Sequence, residues 1–261
     1  AAALDTDAKR AGIVAISGAS TLPALSSAVI DDHASAFDRL ECIEIVIAPA
    51  QRTPRGPATV DAVLSYCGRP ISWLESGQWR TAYGWQSLRR LVLPGIGTRW
   101  AAACDVPDLA LLPLRYPSVQ TVQFRAALEL GVQHFGLWLV AAGRRIWPRL
   151  PIAPLAPRLA AIGRLLDRFG GERGGMTIKM SGMRDGTPIE RTWCLVADAN
   201  EGPEIPCLAA EILALRLARG EAIAPGARTC MGLVTLAEFE QAFRTWPFRS
   251  FTLDERGRET R

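Results

Sequence analysis

The sequence predicts an α+β (α/β) protein in which helices cover a mixed β-sheet. Three observations carry this. Residues 40–48 (LECIEIVIA) place Ile43, Ile45 and Ile47 on one face at the two-residue period of a strand. Residues 176–183 and 189–197 form two strand-like runs joined through Asp185-Gly186, a hairpin signal. Runs with helical spacing or helix signals, at 58–66, 159–169 and 206–217, lie between and after them.

Residues 1–12 read as the end of a helix leading into a strand at 13–16 (IVAI), whose β-branched side chains are expected to be buried. Ser17, Gly18, Ala19, Ser20 and Thr21 then turn the chain with small side chains. Pro23 suits the first turn of a helix, where its missing donor would be unpaired anyway, and Leu25, Val29 and Ile30 give that helix an apolar side. Strand, small-residue loop and helix start together form the kind of edge where ligands approach α/β sheets. No strand–helix unit precedes it, so the chain reads as the later part of a larger protein.

Pro49 ends the 40–48 strand, and turn formers at 50–57 lead to the helix at 58–66, stopped by Gly68. Residues 71–74 and 78–83 flank Glu75-Ser76-Gly77 as a hairpin. Proline, glycine and isolated large residues at 85–117 suggest a long irregular surface excursion with short strands at best. Residues 119–126 read as a strand. The helix at 128–146 is apolar nearly all round, so it is expected to be buried on more than one side. Glu129, His134 and Arg144 argue against a membrane span. Arg144, Arg145, Trp147 and Arg149 would suit an interfacial helix, but low charge asymmetry along the helix favours a core or subunit-contact role. After a proline-spaced link, the helix at 159–169 ends in the glycine turn 170–175. Thr235 and Glu238 form a capping box for 236–243, and residues 254–261 are expected to fray.

Of 261 residues, 30 are Lys or Arg and 26 Asp or Glu, a net charge of +4 with the arginines scattered. No basic run is interleaved with aromatics, so nucleic acid is not expected as a partner. Six cysteines without a CxxC, and only two histidines, give no metal-ligand spacing. Reduced thiols and the lack of a signal-peptide core place the chain in a cytoplasm.

Gly95-Ile96-Gly97 begins like a dinucleotide fingerprint, but Trp100 stands where a third glycine is needed. There is no P-loop and no GxSxG, and His134 in its apolar helix reads as a core or interface group. The loop holding Arg52, Arg55, Gly56 and Thr59 joins a strand's end to a helix's N-terminus, where free amides favour an anion. Its two arginines would hold a carboxylate or phosphate. A solvated turn with surface arginines is the other reading, and both stay open here.

Several stretches together resemble the bacterial saccharopine dehydrogenase-like oxidoreductases. They are SGASTLPALS (17–26), RTPRGPATVDAVLSYCGRP (52–70), LPGIGTRWAAACDVPDLALLPLRYP (93–117), FRAALEL (124–130) and FGGERGGM (169–176). The resemblance implies an N-terminal NAD(P)-binding Rossmann domain followed by an α+β substrate and dimerisation domain. Residues 1–35 would then be a remnant of the first, and 36–261 the second. NAD or NADP would be held mainly by the missing domain, with Gly18, Ser20 and Thr21 beside the nicotinamide. Arg52, Arg55, Gly56 and Thr59 would face a small acidic or amino-acid-like substrate across the same cleft. A homodimer is implied, with no metal and no membrane association, and the isolated chain would be inactive. No general acid or base is identified. The alternative is a non-catalytic binding or assembly module of the same fold.

Overall fold

A strand such as LECIEIVIA becomes stable only when its apolar face is covered. The computed structural model, which describes residues 2–54 and 56–260, shows what covers it. The chain begins with α1 (Asp5–Ala11), β1 (Val14–Ser17), α2 (Ser26–Ala34), β2 (Arg39–Ala48) and α3 (Pro57–Tyr66). Two hairpins follow, β3 (Pro70–Glu75) with β4 (Gln78–Tyr83) and β5 (Arg89–Leu93) with β6 (Gly97–Ala103). Next come α4 (Asp108–Arg115), β7 (Thr121–Ala126), α5 (Gly131–Ile146) and α6 (Ala156–Leu166). The long hairpin of β8 (Gly174–Arg184) and β9 (Thr187–Ala197) precedes α7 (Ile205–Ala218) and β10 (Gly226–Thr229). The chain closes with α8 (Leu236–Phe243), β11 (Phe248–Asp254) and β12 (Glu259–Thr260).

These elements form two compact units, Ala1–Phe37 with Pro203–Trp246, and Asp38–Gly202 with Pro247–Arg261. This division differs from the expected 1–35 and 36–261. Residues 203–246 fold with the N-terminal segment because they carry β10, which pairs with β1.

In the first unit β1 and β10 form a two-stranded parallel sheet, Val14 opposite Gly226 and Ser17 opposite Thr229. The Asp5 carboxylate accepts the Ala227 amide at 3.0 Å and the Lys9 ammonium at 2.6 Å, joining α1 to β10. The strand is not buried as expected. Ile13 just before it is 56% exposed, because a pair of strands has too few neighbours to cover both faces. Pro23 stands at the entry to the helix, as the sequence indicates: Leu22 just before it is extended (φ −122°, ψ 124°), Leu22–Pro23 is cis, and the helical backbone that follows runs on into α2 at Ser26. Burial of Ser26 through Ile30 is continuous, and the Ser27 hydroxyl donates to Ala24 O at 3.0 Å and accepts the Gly232 amide at 3.1 Å. The capping box forms as the sequence indicates: Thr235 accepts from the Glu238 amide, and Glu238 accepts from the Thr235 amide at 2.9 Å.

In the second unit ten strands join one mixed sheet, in the order β12-β11-β9-β8-β2-β7-β3-β4, with β6 pairing both β7 and β5. Only β2 and β7 run parallel in it. Ile43, Ile45, Val122, Ile178, Met180 and Trp193 are buried to within 1% on one face of its centre. The 85–117 stretch has the short strands allowed for it, as the β5–β6 hairpin, but it is not a surface excursion: it also holds α4, and Trp85, Ala101, Ala102 and Leu112 are fully or almost fully buried. Its short alanine-rich strand is stabilised by β7, a partner distant in sequence, rather than by local periodicity. The C-terminal residues are likewise ordered: the Asp254 carboxylate accepts the amides of Arg256 and Arg258 at 2.9 and 2.8 Å, and β12 pairs with β11.

The largest departure is α5. Of its sixteen residues only His134, Ala141 and Arg144 are buried. Arg144 turns inward to donate to the carbonyls of Leu64, Ser65 and Cys67, which closes the C-terminal end of α3. His134 stacks edge-on against Trp85 at 5.3 Å, and neither ring nitrogen has a hydrogen-bond partner among the described residues. No helix among the described residues is long and apolar enough to cross a membrane.

Two stability predictions follow from this packing. Thr235→Ala removes the cap of α8 and should cost about 1 kcal/mol in urea unfolding. Burial pushes the His134 imidazole down to about 4, against about 6.5 when unfolded. Its contribution is therefore complete above about pH 6.5 and drains as pH falls toward 4, by up to about 3 kcal/mol. His134→Phe should flatten the fall in melting temperature between neutral and acid pH; an unchanged fall would exclude this residue as its source.

Candidate functional site

The register of the large sheet aligns one polar row across its centre. Gln123 of β7 lies opposite Glu44 of β2, Glu44 opposite Lys179 of β8, and Lys179 opposite Thr192 of β9. In each strand these residues alternate with the apolar face described above, so the strands expose them on the opposite side. The β5–β6 hairpin, through Leu91, Leu93 and Ile96, packs against Val46 and Ala48 beside the row. The result is a cavity of about 300 Å³, to which the turn after β11 also contributes.

Charges dominate the polar part of this lining. Lys179 pairs with Glu190 at 2.7 Å and Arg89 with Glu44 at 3.2 Å. Arg125 is 4% exposed, donates to the Ser87 carbonyl and to Gln123 Oε1 (3.2 Å), and stacks on Trp73 at 5.1 Å. Its Nε has no hydrogen-bond partner among the described residues. Desolvation, with Arg89 as a like charge nearby, pulls the guanidinium down to about 10. A buried cation with an unsatisfied donor is the arrangement that an anion stabilises. On the same face the Cys42 thiol is pushed up to about 11, first by burial and then by Glu44, which leaves it an unreactive thiol.

The residues singled out in the sequence fall in two places. Gly18, Ser20 and Thr21 follow β1 in the first unit, at the carboxyl edge of the parallel pair. Gly18 has φ +70°, and a Cβ there would lie 2.6 Å from Pro23 Cδ, so its freedom serves the turn itself. The Ser20 amide donates to Gly18 O at 2.8 Å, and Thr21 is buried. Gly18 is exposed and Ser20 half-buried.

Arg52, Gly56 and Thr59 belong to the second unit, and Arg55 lies outside the described residues. Gly56 is the residue before α3 and receives the Thr59 amide at 3.1 Å; both are exposed. Arg52 donates to Glu172 at 3.1 Å and to the Asp167 carbonyl at 3.4 Å, so its charge is already answered by a neighbour. Beside it Glu129 accepts the Gln51 amide at 2.8 Å and the Gly171 amide at 2.7 Å. Arg99, only 5% exposed in its side chain, lies 3.7 Å from Glu129 and donates to the carbonyls of Pro49 and Arg173. No group of three or more potential metal ligands occurs among the described residues.

Sequence reasoning missed the polar row. Its signal was there: Glu44 interrupts a run of isoleucines and Lys179 stands between Ile178 and Met180. Only the strand register shows that these interruptions meet.

No family model matches the sequence, and no curated protein sequence does. Among solved structures, apo histidine-tagged saccharopine dehydrogenase (L-Glu forming) from Saccharomyces cerevisiae matches 97% of this chain and 77% of its own, with a TM-score of 0.62. The fold is similar to that of saccharopine dehydrogenase. Sequence identity is 12%, so the likeness is one of fold alone.

The Glu129 carboxylate should prove necessary to the loops around it. Glu129→Ala would strand the Arg99 cation and two amides, and is expected to cost about 2–3 kcal/mol in denaturant unfolding. Hydrogen exchange at the Gly171 amide should accelerate in the same variant.

Proposed function

We propose that this chain is the substrate-binding portion of an NAD(P)-dependent oxidoreductase built on the saccharopine dehydrogenase fold. The observation that carries the reading is the sheet-face cavity with Arg125 buried beside it, one donor unused, and Glu44, Lys179 and Glu190 along its wall. Both signs of charge within one small cavity suit an amino-acid-like substrate. A carboxylate would meet Lys179 and Arg125, and an ammonium Glu44 or Glu190. The nicotinamide would supply hydride transfer, presented by elements other than those that line the cavity. In this reading Arg52 shapes its loop through Glu172, and Gly56 and Thr59 offer the first turn of α3 to a second acidic group.

A non-catalytic module of the same fold is the second reading. It draws on the fact that Lys179 and Glu44 already have partners in the protein.

The two separate in the full-length protein, assayed with NADH or NADPH across acidic amino acids and their keto acids. If substrate lies on the row, Lys179→Met should lower kcat/KM roughly ten- to a hundredfold, mainly through KM. Arg52→Ala should change it less, since removing its exposed ion pair costs well under about 1 kcal/mol. Turnover that Lys179→Met and Glu44→Gln leave unaltered would refute the cavity as the substrate site. Absence of turnover, with small acids still protected from release by Lys179, would favour the binding module.

A further inference from the structure

The sequence calls for a buried α5, yet the structure leaves its apolar side open. Val132 (66%), Leu139 (63%) and Ile146 (87%) are exposed, and Phe135 (39%) is partly so, one edge resting on Trp100 at 5.5 Å. They recur at intervals of three, four and seven, a single stripe along the helix, opposite the side that carries His134 and Ala141. On α6 the outward residues Ile162 (52%) and Leu165 (62%) form a second short stripe, continued by Phe169 (62%). The two helices are neighbours: a Cβ built on Gly163 of α6 would lie 3.6 Å from the Gln133 amide of α5. Trp147, 65% exposed, stands where the chain leaves α5.

The charge around these stripes has one sign. Residues 131–169 contain six arginines and one acid, Asp167, while the whole chain has a net charge of only +4. Arg144 is turned inward, but Arg145, Arg149, Arg158, Arg164 and Arg168 are exposed. None of these five has a carboxylate within ion-pairing distance among the described residues. The Asp167 carboxylate accepts the Gln51 side-chain amide at 2.9 Å. Arg145 stacks on Tyr83 at 4.3 Å and Arg168 on Phe169 at 4.6 Å, which holds cations against aromatic surface.

We propose that the α5–α6 face rests on an anionic lipid surface. Apolar side chains on one stripe, aromatic residues at its ends and arginines around it make up the composition of a helix lying in a membrane interface. The apolar groups enter the headgroup boundary while the guanidinium groups meet lipid phosphate. A second copy of the chain is a poorer occupant. In a twofold contact the same patch faces itself, and the arginines of one copy would oppose those of the other. Charge complementarity therefore selects a negative partner, and the apolar stripe selects one with a hydrocarbon layer. The inference does not rest on the sheet-face cavity or on any turnover.

The test is co-sedimentation of the chain with vesicles of phosphatidylglycerol mixed into phosphatidylcholine, against phosphatidylcholine alone, at low and high salt. Binding is expected to the anionic vesicles only and to weaken with salt. Arg149→Gln and Arg158→Gln should each lower the partition coefficient about fivefold. Ile146→Ser should lower it as well, whereas Arg184→Gln, at the β8–β9 turn of the same unit, should not. Circular dichroism confirms that each variant is folded, and the two arginine variants suffice if Ile146→Ser is not. The proposal is overturned if the chain ignores anionic vesicles at low salt, or if Arg184→Gln weakens binding as much as Arg149→Gln. It is also overturned if light scattering shows a dimer that Ile146→Ser dissociates while no vesicle binding occurs; the face would then be a self-contact.

Discussion

Glu129 and Arg99 form the interaction on which the carboxyl edge of the large sheet depends. β2 and β7 run parallel and so deliver their following loops to the same edge. Such loops carry backbone amides and carbonyls that no neighbouring strand satisfies. Glu129 takes two of the amides, and Arg99 takes two of the carbonyls. Arg99 is deeply placed and Glu129 partly so, and each is made tolerable by the other together with the backbone groups it serves. Burial lowers the proton affinity of the Arg99 guanidinium and the nearby Glu129 raises it again. Through this pair the segments after β2, after β7 and before β8 hold one another in position.

Much of the architecture was legible because its signals are local. The Asp185-Gly186 turn specifies the β8–β9 hairpin, and Thr235 with Glu238 marks the start of α8 within four residues. The alternation of residues 40–48 is a property of one strand alone. What was not legible depends on distant partners. The alanines of β6 look like an irregular stretch until β7 lies beside them, and residues 259–260 look frayed until β11 does. Helix α5 misleads for another reason. An apolar helix is ordinarily a covered one, and composition carries no information about whether a neighbour is present.

The same contrast applies to the candidate site. Strand–loop–helix connections at residues 18–23 and 52–59 can be recognised by their turn formers, and the structure does place each after a strand. The two connections lie in different units. A polar row across a sheet is of a different kind, because each of its members belongs to a separate strand. Glu44 and Lys179 stand 135 positions apart in a register that no single strand discloses. Their alternation with isoleucine and methionine indicates only that one face of each strand is polar. The pairing makes those separate faces into one wall.

The return of residues 203–246 to the N-terminal segment has a consequence for biosynthesis. β1 leaves the ribosome without β10, the strand it pairs with here, which is encoded roughly two hundred residues later. At about 5–20 residues per second the wait is on the order of 10–40 seconds. During that interval the large sheet's β2 to β9 have all been made, while the first unit is still half a fold with Val14 and Ile16 on an open edge. The first unit is therefore completed late, and β1 waits longer for β10 than β2 waits for β8 in the large sheet.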